Sequence, residues 1–250
     1  MSGVPSVSVV LVTRDRRALL ADALASVVAQ SPAPCEVRIG DDGTTPAVLP
    51  DDLPLLEVTV VPGGHGSAAA ARNAAAAGAR GEVLAFLDDD DRWRPGHLAA
   101  LAEAFRDPTV GFAWRDSEVV RERVAPSGER IAYDRRTLAR DWDDALMRSD
   151  DYLPPSAWGV RRSCFEALGG FDASLRYSED WDFVLRAAAR TGVRRVPGVS
   201  VEVRLRESGN SSAEFTPERL ECLRRVAERH GFATPGPKTF WEVALAVGAS

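Results

Sequence analysis

Lysine is nearly absent from this chain of 250 residues, in which Lys238 is the only lysine and arginine supplies almost all of the positive charge. A Schiff-base enzyme needs a lysine nucleophile, and a Walker-type phosphate loop needs a lysine in a glycine-rich turn. Lys238 lies near the C-terminus, in neither context. The sequence therefore argues against both mechanisms.

Cysteine, histidine and long apolar runs are scarce as well. The three cysteines are scattered and odd in number, which argues against a disulfide framework and favours a reducing setting. The histidines, His65, His97 and His230, lack the spacing of a zinc site. We find no apolar run of the length of a transmembrane helix and no signal peptide. We therefore expect a cytoplasmic protein.

The composition is that of a globular domain. Hydrophobic residues make up 45% of the chain and charged residues 27%, proportions that allow a sizeable core. The formal net charge is −6, so bulk electrostatics give no support for a nucleic-acid partner. The length fits one large domain or two small ones.

Strands and helices alternate in the first half of the chain. The continuous apolar run Val7–Val12 predicts a strand covered on both faces, and Leu56–Val61 is predicted as a further strand. Helices are predicted from Arg17 to Gln30 and from a Ser67 cap to about residue 79. This order predicts an α/β fold with a largely parallel sheet, whose ligands lie beyond the carboxyl ends of the strands. The acids at these ends are Asp15, Asp41, Asp42 and Asp88 to Asp91.

The second half is less regular. Ser178 is the predicted cap of a helix that stops at Gly192, and Thr216 is the predicted cap of a helix that ends at His230 and Gly231. The polar segment from Trp114 to Tyr152 gives no clear prediction.

The aspartate run at residues 88–91 directly follows an apolar strand. Mg²⁺ and Mn²⁺ prefer oxygen ligands, and they usually take one or two carboxylates together with substrate phosphates. Asp88 and Asp90 are separated by one residue and are suited to flank a metal–diphosphate. A solvated acidic loop is the alternative. The position at a strand end favours the metal site.

Six motifs occur in the order and spacing seen in family 2 glycosyltransferases, which the chain resembles from about Val7 to Ser212. They are VSVVLVTRDR, EVRIGDDG, ARN, GEVLAFLDDDDRWRP, GGFDASLRYSEDWDFVLR and VRLRESGNSS. The resemblance implies a single GT-A-type domain with a Rossmann-like, mostly parallel sheet flanked by helices. Its nucleotide-sugar half would span about 7–105, its acceptor and catalytic-base half about 106–215, and a helical extension 216–250.

The resemblance also implies the reaction, which is transfer of one sugar from a nucleoside diphosphate sugar to an acceptor hydroxyl or similar nucleophile, with inversion at the anomeric carbon. Asp180 matches the family's catalytic base, which takes the acceptor's proton. Its position in the first turn of a helix has an alternative explanation, because the helix dipole alone favours an acid there by about 0.3–1 kcal/mol.

Donor-binding roles follow from the same motifs. The nucleoside pocket would include Val12, Thr13, Arg14 and Asp15, where the family usually has Tyr-Asn in place of Arg14-Asp15. Asp42 would accept the uracil imide hydrogen, which favours UDP or dTDP. The nucleotide or its phosphates would lie near Arg72.

The metal, Mn²⁺ or Mg²⁺, would be held by the Asp-x-Asp acids Asp88 and Asp90, with Asp90 the more direct ligand and Asp89 on the donor side. Many members carry a histidine where this chain has Arg206. A guanidinium cannot ligate a metal, but it can pair with the diphosphate.

Other functions remain open at this point. The stretch GHGSAA, with Gly64 and Gly66, matches a dinucleotide fingerprint and suggests an NAD-dependent oxidoreductase, although it does not lie on the first strand-to-helix turn. A catalytically silent nucleotide-sugar-binding module is a further alternative. A nucleotidyltransferase would need a phosphate-binding lysine. The acceptor site is expected between about Trp114 and Trp158, with a saccharide or small natural product favoured.

Overall fold

The computed structural model describes residues 3–50, 53, 56–125, 129–206 and 215–248. Its strands are β1 (Val7–Thr13), β2 (Glu36–Asp41), β3 (Val58–Val61), β4 (Val83–Asp88), β5 (Arg92–Trp93), β6 (Val110–Val124), β7 (Arg130–Leu138), β8 (Trp158–Arg161) and β9 (Gly192–Arg206). Its α-helices are α1 (Arg17–Val28), α2 (Ala68–Ala76), α3 (His97–Ala104), α4 (Asp144–Met147), α5 (Arg162–Ala167), α6 (Glu179–Ala188), α7 (Pro217–His230) and α8 (Phe240–Val247). A 3-10 turn spans Pro155–Ala157. The end of the VRLRESGNSS motif, at 207–212, lies outside the described residues.

One sheet contains all of these strands, in the order β3-β2-β1-β4-β8-β6-β9-β5, with β7 paired to β6. The strands β1, β2, β3 and β4 are parallel, and β6 and β9 run in the same direction as they do. The others, β5, β7 and β8, are antiparallel to their neighbours. The predicted α/β fold with a mostly parallel sheet in a single domain is therefore confirmed.

Helix α1 ends at Val28, two residues before the predicted end at Gln30. The side-chain nitrogen of Gln30 donates to the backbone oxygens of Ser26 (3.0 Å) and Arg94 (3.1 Å), and its side-chain oxygen accepts from the Leu98 backbone amide (3.2 Å). Gln30 thus connects the end of α1 to the first turn of α3 and to the segment before it, and it does not continue the helix.

Helix α2 begins after Ser67, whose hydroxyl accepts a hydrogen bond from the Ala70 amide as predicted. It ends at Ala76, three residues earlier than expected. A Cβ atom at Gly40 of β2 would lie 2.4 Å from the carbonyl oxygen of Ala71. Glycine at this position therefore allows α2 to pack closely on the sheet, which brings the helix to the carboxyl end of β4.

The hairpin of β6 and β7 occupies much of the segment from Trp114 to Tyr152, for which no elements were predicted. The strand β6 pairs with β7 along one edge and with β9 along the other. Ion pairs cross the hairpin between Arg130 and Glu122 (3.1 Å) and between Arg135 and Glu118 (2.5 Å). Opposite charges on diagonal positions stabilise such a pair of strands, although charged residues along the strands remove the apolar alternation that identifies a strand.

Helix α6 packs its Phe183 ring against Trp158 at a centroid distance of 5.6 Å. Ser178 precedes the helix, but its φ is 60° and its side chain makes no capping hydrogen bond. The prediction of Ser178 as a side-chain cap is therefore wrong. The predicted stop at Gly192 is wrong as well, because the helix ends at Ala188 and Gly192 begins β9. Trp181 is 2% exposed, as its position on the apolar stripe predicts.

Helix α7 begins and ends where the sequence predicts. The Thr216 hydroxyl accepts a hydrogen bond from the Arg219 amide (3.2 Å), and Gly231 ends the helix with a φ of 69°. Helix α8 begins with a capping box between Thr239 and Glu242. None of the helices in the described ranges is long and apolar enough to cross a membrane.

A buried carboxylate joins α6 to α7. Asp182 is fully buried and contacts Arg186 (2.7 Å), Arg229 (2.9 Å) and the His230 ring (3.0 Å). Burial raises the pKa of Asp182, but the hydrogen bond from His230 and the charge of Arg186 outweigh that effect and bring the pKa below its usual value.

We expect Asp182→Ala to lower the free energy of unfolding by about 1.5–3 kcal/mol, because it removes a buried acceptor that forms charge-assisted hydrogen bonds to three partly exposed side chains. Urea denaturation measures this, with the exposed Glu228→Gln on α7 as control, for which a change below about 1 kcal/mol is expected. Because the folded pKa of Asp182 is depressed, its contribution is present above pH ~4 and disappears as the pH falls through the folded value. Equal losses of unfolding free energy in the two variants would contradict this stabilising role of Asp182.

Candidate active site

A cavity of about 520 Å³ opens beyond the carboxyl ends of β1, β2 and β4. These parallel strands end at one edge of the sheet, which is where ligands bind in such folds. Among the predicted site residues, Asp15 and Arg206 are not among the described residues that line this cavity. Those that line it are Val12, Thr13, Arg14, Asp42, Arg72, Asp88, Asp89, Asp90 and Asp180.

Two of the four consecutive aspartates fix the shape of the acidic loop, residues 88–91. Asp89 is buried and accepts a hydrogen bond from the Thr13 hydroxyl of β1 (2.7 Å). Asp91 is buried and accepts hydrogen bonds from the Ser156 hydroxyl (2.5 Å) and the Arg204 backbone amide (3.0 Å). These contacts hold the loop against both halves of the sheet.

Asp88, Asp90 and Asp91 place carboxylate oxygens within 4.8 Å of one another. This arrangement brings together the two acids predicted as metal ligands and adds Asp91, which the sequence pattern did not single out. An all-carboxylate set suits a hard divalent cation. The residues present are therefore chemically suited to Mg²⁺ or Mn²⁺.

Two arginines neutralise Asp90. Arg16 contacts Asp90 and Asp89, both at 3.1 Å, and Arg206 contacts Asp90 at 2.8 Å. Arg206 thus lies beside the predicted metal ligand. Arg16 was not predicted, although it belongs to the same Thr-Arg-Asp-Arg turn after β1 as the predicted nucleoside pocket.

Burial dominates the electrostatics of the acidic loop. It raises the pKa of Asp89 to about 6, with a further increase from the charge of Asp90. Burial and the neighbouring charge of Asp88 raise the pKa of Asp90, and burial raises that of Asp91 well above its usual value. A bound cation would favour the charged form of all three groups.

Arg72 lies on α2 and is 4% exposed. One of its terminal nitrogens donates to Asp88 (2.6 Å) and the other to Glu179 (2.7 Å). Burial, followed by the charge of Asp180, raises the pKa of Glu179 to about 7, and Arg72 opposes this rise. The guanidinium joins the end of β4 to the beginning of α6, and so it links the acidic loop to the segment that carries Asp180.

Asp180 is partly exposed to the cavity and accepts a hydrogen bond from the Trp181 backbone amide (2.9 Å). Burial raises its pKa, the charge of Arg72 lowers it, and the charge of Asp88 adds to the rise. A carboxylate with raised proton affinity and spare lone pairs in a cavity is suited to take a proton.

At the end of the cavity where the nucleoside is predicted to bind, two acids hold turns of the chain. Asp42 accepts a hydrogen bond from the Gly66 amide (2.7 Å), and within the described part of the chain its second oxygen has no hydrogen-bond partner. Asp15 accepts hydrogen bonds from the amides of Thr44 (3.0 Å) and Thr45 (3.2 Å), with a φ of 53°. Asp15 therefore holds the loop after β2 and is set back from the cavity.

The opposite wall comes from two distant parts of the chain. Residues 149–155 contribute part of it, within the range where the acceptor site was expected. The remainder comes from α7, α8 and the loop between them, and was not predicted. Lys238 joins these two parts through an ion pair with Asp150 (2.5 Å). The residues from the C-terminal part are Arg219, Leu223, Pro235, Gly236, Lys238, Phe240 and Val243.

Solved structures share this fold at low sequence identity. S. aureus TarS 1-349 in complex with UDP-GlcNAc has a TM-score of 0.65 and 19% identity, with coverage of 89% of this chain and 66% of that one. A longer TarS chain is covered over 39% of its length. The mannosyltransferase PcManGT from Pyrobaculum calidifontis, in complex with GDP-Man and Mn²⁺, has a TM-score of 0.60 and 20% identity, with coverage of 97% and 68%. The GT-A-type fold is thereby confirmed.

Curated relatives are similar in sequence. The uncharacterized glycosyltransferase YwdF of Bacillus subtilis is 33% identical over 240 residues, which cover 94% of this chain and 87% of that protein. The pre-mycofactocin glycosyltransferase of Mycobacterium tuberculosis is 32% identical over 156 residues, which cover 60% of this chain and 33% of that protein. The family model of glycosyl transferase family 2 matches residues 8–169. This match spans more than half of the chain, and we conclude that the chain belongs to glycosyl transferase family 2.

Proposed function

We propose that this glycosyltransferase moves one sugar from a UDP or dTDP sugar to an acceptor hydroxyl with inversion, assisted by Mn²⁺ or Mg²⁺. The observation that carries the proposal is the shared cavity of Asp180 and the acidic loop, with Arg72 between them. TarS binds UDP-GlcNAc and PcManGT binds a nucleotide sugar with Mn²⁺, which supports the same ligand classes here. Family membership leaves the NAD-dependent alternative without support, and the Gly66 amide of its motif bonds to Asp42.

Asp180 is the proposed base. The acceptor oxygen attacks the anomeric carbon while its proton passes to the Asp180 carboxylate, and the bond from that carbon to the diphosphate breaks with its electron pair on the leaving group. Attack on the face opposite the diphosphate inverts the configuration. The raised pKa of Asp180 increases its proton affinity, as this role requires.

The proposed recognition of the donor's base depends on Asp42. One of its oxygens is held by the Gly66 amide, and the second is available to accept the N3–H of uracil or thymine. Val12, Thr13 and Arg14 line the cavity nearby, and a guanidinium can stack on a base. Asp15 supports this pocket indirectly through the loop that it holds.

Asp88 and Asp90 are the proposed metal ligands, with Asp91 close to them. The cation would stabilise negative charge on the leaving diphosphate. Arg16 and Arg206 now pair with Asp90 and can transfer to phosphate oxygens when a diphosphate arrives. Asp90 would then become available to the metal, so the two ligands should assist each other. Arg72 and Asp89 support the donor side through their bonds to Asp88 and Thr13.

The base is tested by Asp180→Asn, which keeps the shape of the side chain and removes proton acceptance. UDP release from a UDP sugar should fall by at least ~10²-fold while UDP still binds. The control is Glu218→Gln, which removes an exposed acid from the first turn of α7, where the dipole effect is the same but the side chain does not line the cavity. Wild-type turnover in Asp180→Asn would remove Asp180 from the mechanism.

The donor is tested by calorimetry with four nucleoside diphosphates. UDP or dTDP should bind at least ~10-fold more tightly than GDP or ADP, which corresponds to one good polar contact of ~1.4 kcal/mol. Asp42→Ala should remove most of this preference, because it deletes the carboxylate that recognises the imide. Equal affinities of the wild-type protein for all four would be incompatible with the assignment of Asp42.

The coupling between metal and nucleotide is tested by titrating Mn²⁺ with and without UDP. UDP should raise the affinity for Mn²⁺ by about 5- to 150-fold, and Mn²⁺ should raise that for UDP by the same factor. Arg206→Met should reduce the factor, whereas Arg225→Met, which alters an arginine bonded to Ser174 on the surface, should leave it unchanged. Equally tight Mn²⁺ binding in both titrations would mean that the protein holds the ion without help from the nucleotide.

A further inference from the structure

Most carboxylates that line the cavity are already bound to a cation, a hydroxyl or a backbone amide. The bonds of Asp42, Asp180 and the acidic loop are described above, and Asp150 is paired with Lys238. Asp151 is different. Among the described residues its hydrogen-bond partner is the Leu153 amide alone, at the long distance of 3.4 Å. Its carboxylate therefore keeps most of its lone pairs for a bound molecule.

Asp151 is partly buried and lines the same cavity as the proposed base. Burial and then the charge of Asp180 raise its pKa well above the usual value. A charged carboxylate that is desolvated without compensating hydrogen bonds is unfavourable. A ligand that supplies a hydrogen-bond donor would remove this deficit.

The segment that carries Asp151 is held in place relative to the base. The indole nitrogen of Trp181, the residue after the base, donates to the Met147 carbonyl oxygen (2.8 Å). On the other side, Lys238 holds Asp150. Asp151 lies next to this anchored residue, so its carboxyl group meets an acceptor in a preorganised position.

Asp151 and Asp180 line one cavity, and the charge of Asp180 acts on Asp151. The acceptor of the proposed reaction attacks through a hydroxyl, and an ammonium group is no nucleophile. A hydroxyl can donate to one carboxyl group while a second hydroxyl loses its proton to the other. Two hydroxyls on adjacent carbons meet this requirement.

We propose that Asp151 binds a second acceptor hydroxyl beside the nucleophilic one, and that the acceptor is a vicinal diol of the kind found in saccharides and polyols. The inference rests on the proposed function. The nucleophilic hydroxyl forms the bond to the anomeric carbon and gives its proton to Asp180, UDP leaves with the electron pair, and the hydroxyl on Asp151 keeps its proton. Asp151 is a specificity-determining residue in this scheme.

The test uses two small alcohols that differ only by the second hydroxyl, 1,2-propanediol and 1-propanol, at equal concentration with UDP-glucose and UDP-GlcNAc as donors and Mn²⁺ present. Mass spectrometry measures the two glycosides, and UDP release in water measures donor cleavage. The wild-type protein should form the diol glycoside at least ~10-fold faster, as one good hydrogen bond predicts. Asp151→Ala should bring the ratio towards one and leave UDP release in water unchanged.

Asp151→Asn keeps the size and one acceptor oxygen, so it should retain part of the preference through a higher KM for the diol at similar kcat. The matched control is Asp144→Ala, which removes an exposed acid outside the cavity on the preceding helix and should keep the full ratio. An unchanged ratio in Asp151→Ala, or no preference in the wild-type protein, would overturn the inference. Loss of UDP release in a folded Asp151→Ala protein would overturn it too, because Asp151 would then act on the donor. No UDP release by the wild-type protein would instead refute the proposed function, and this inference with it.

Discussion

The double ion pair of Arg72 sets the distance between the two chemical parts of the cavity. Its guanidinium is buried between Asp88 at the end of β4 and Glu179 at the start of α6, with contacts of 2.6 and 2.7 Å. Removing one partner from such a buried arrangement costs about 3–5 kcal/mol, so the three groups are stable only together. The close approach of α2 to the sheet at Gly40 brings Arg72 to this position. The acidic loop and Asp180 are therefore fixed relative to each other by one side chain.

Arginine suits this role better than lysine, because its planar fork bonds two carboxylates at once and stays charged when buried. Arg16 likewise pairs with two carboxylates at once, those of Asp89 and Asp90. The cavity thus balances its crowded carboxylates with guanidinium groups. Arrival of a diphosphate and a cation would exchange partners among these charges rather than bring new charges into a neutral pocket. This explains physically why a protein with one lysine can nevertheless build a site for phosphates.

The sequence predicted the parts of the fold that depend on local patterns. The central strands and α6 follow from apolar periodicity, α7 also from its end signals, and parallel strands bring Asp42 and the acidic loop to one edge. The β6–β7 hairpin was missed because charged residues that form ion pairs across it interrupt the apolar alternation. The Ser178 cap was wrong because its backbone adopts a positive φ, which the sequence does not reveal. The cavity wall of α7 and α8 depends on packing between elements far apart in the chain, for which one sequence carries no signal.

The ion pair with Asp150 holds the only lysine of the chain, Lys238, at the rim of the cavity. Since the chain has one ε-amino group, amine-directed reagents have a single side-chain target, and it lies among the residues that line the cavity. Reductive methylation with ¹³C-formaldehyde would place a single side-chain methyl resonance at this rim, separate from that of the α-amino group. The scarcity of lysine thus provides a spectroscopic reporter at the wall opposite the acidic loop, without a substitution elsewhere in the protein.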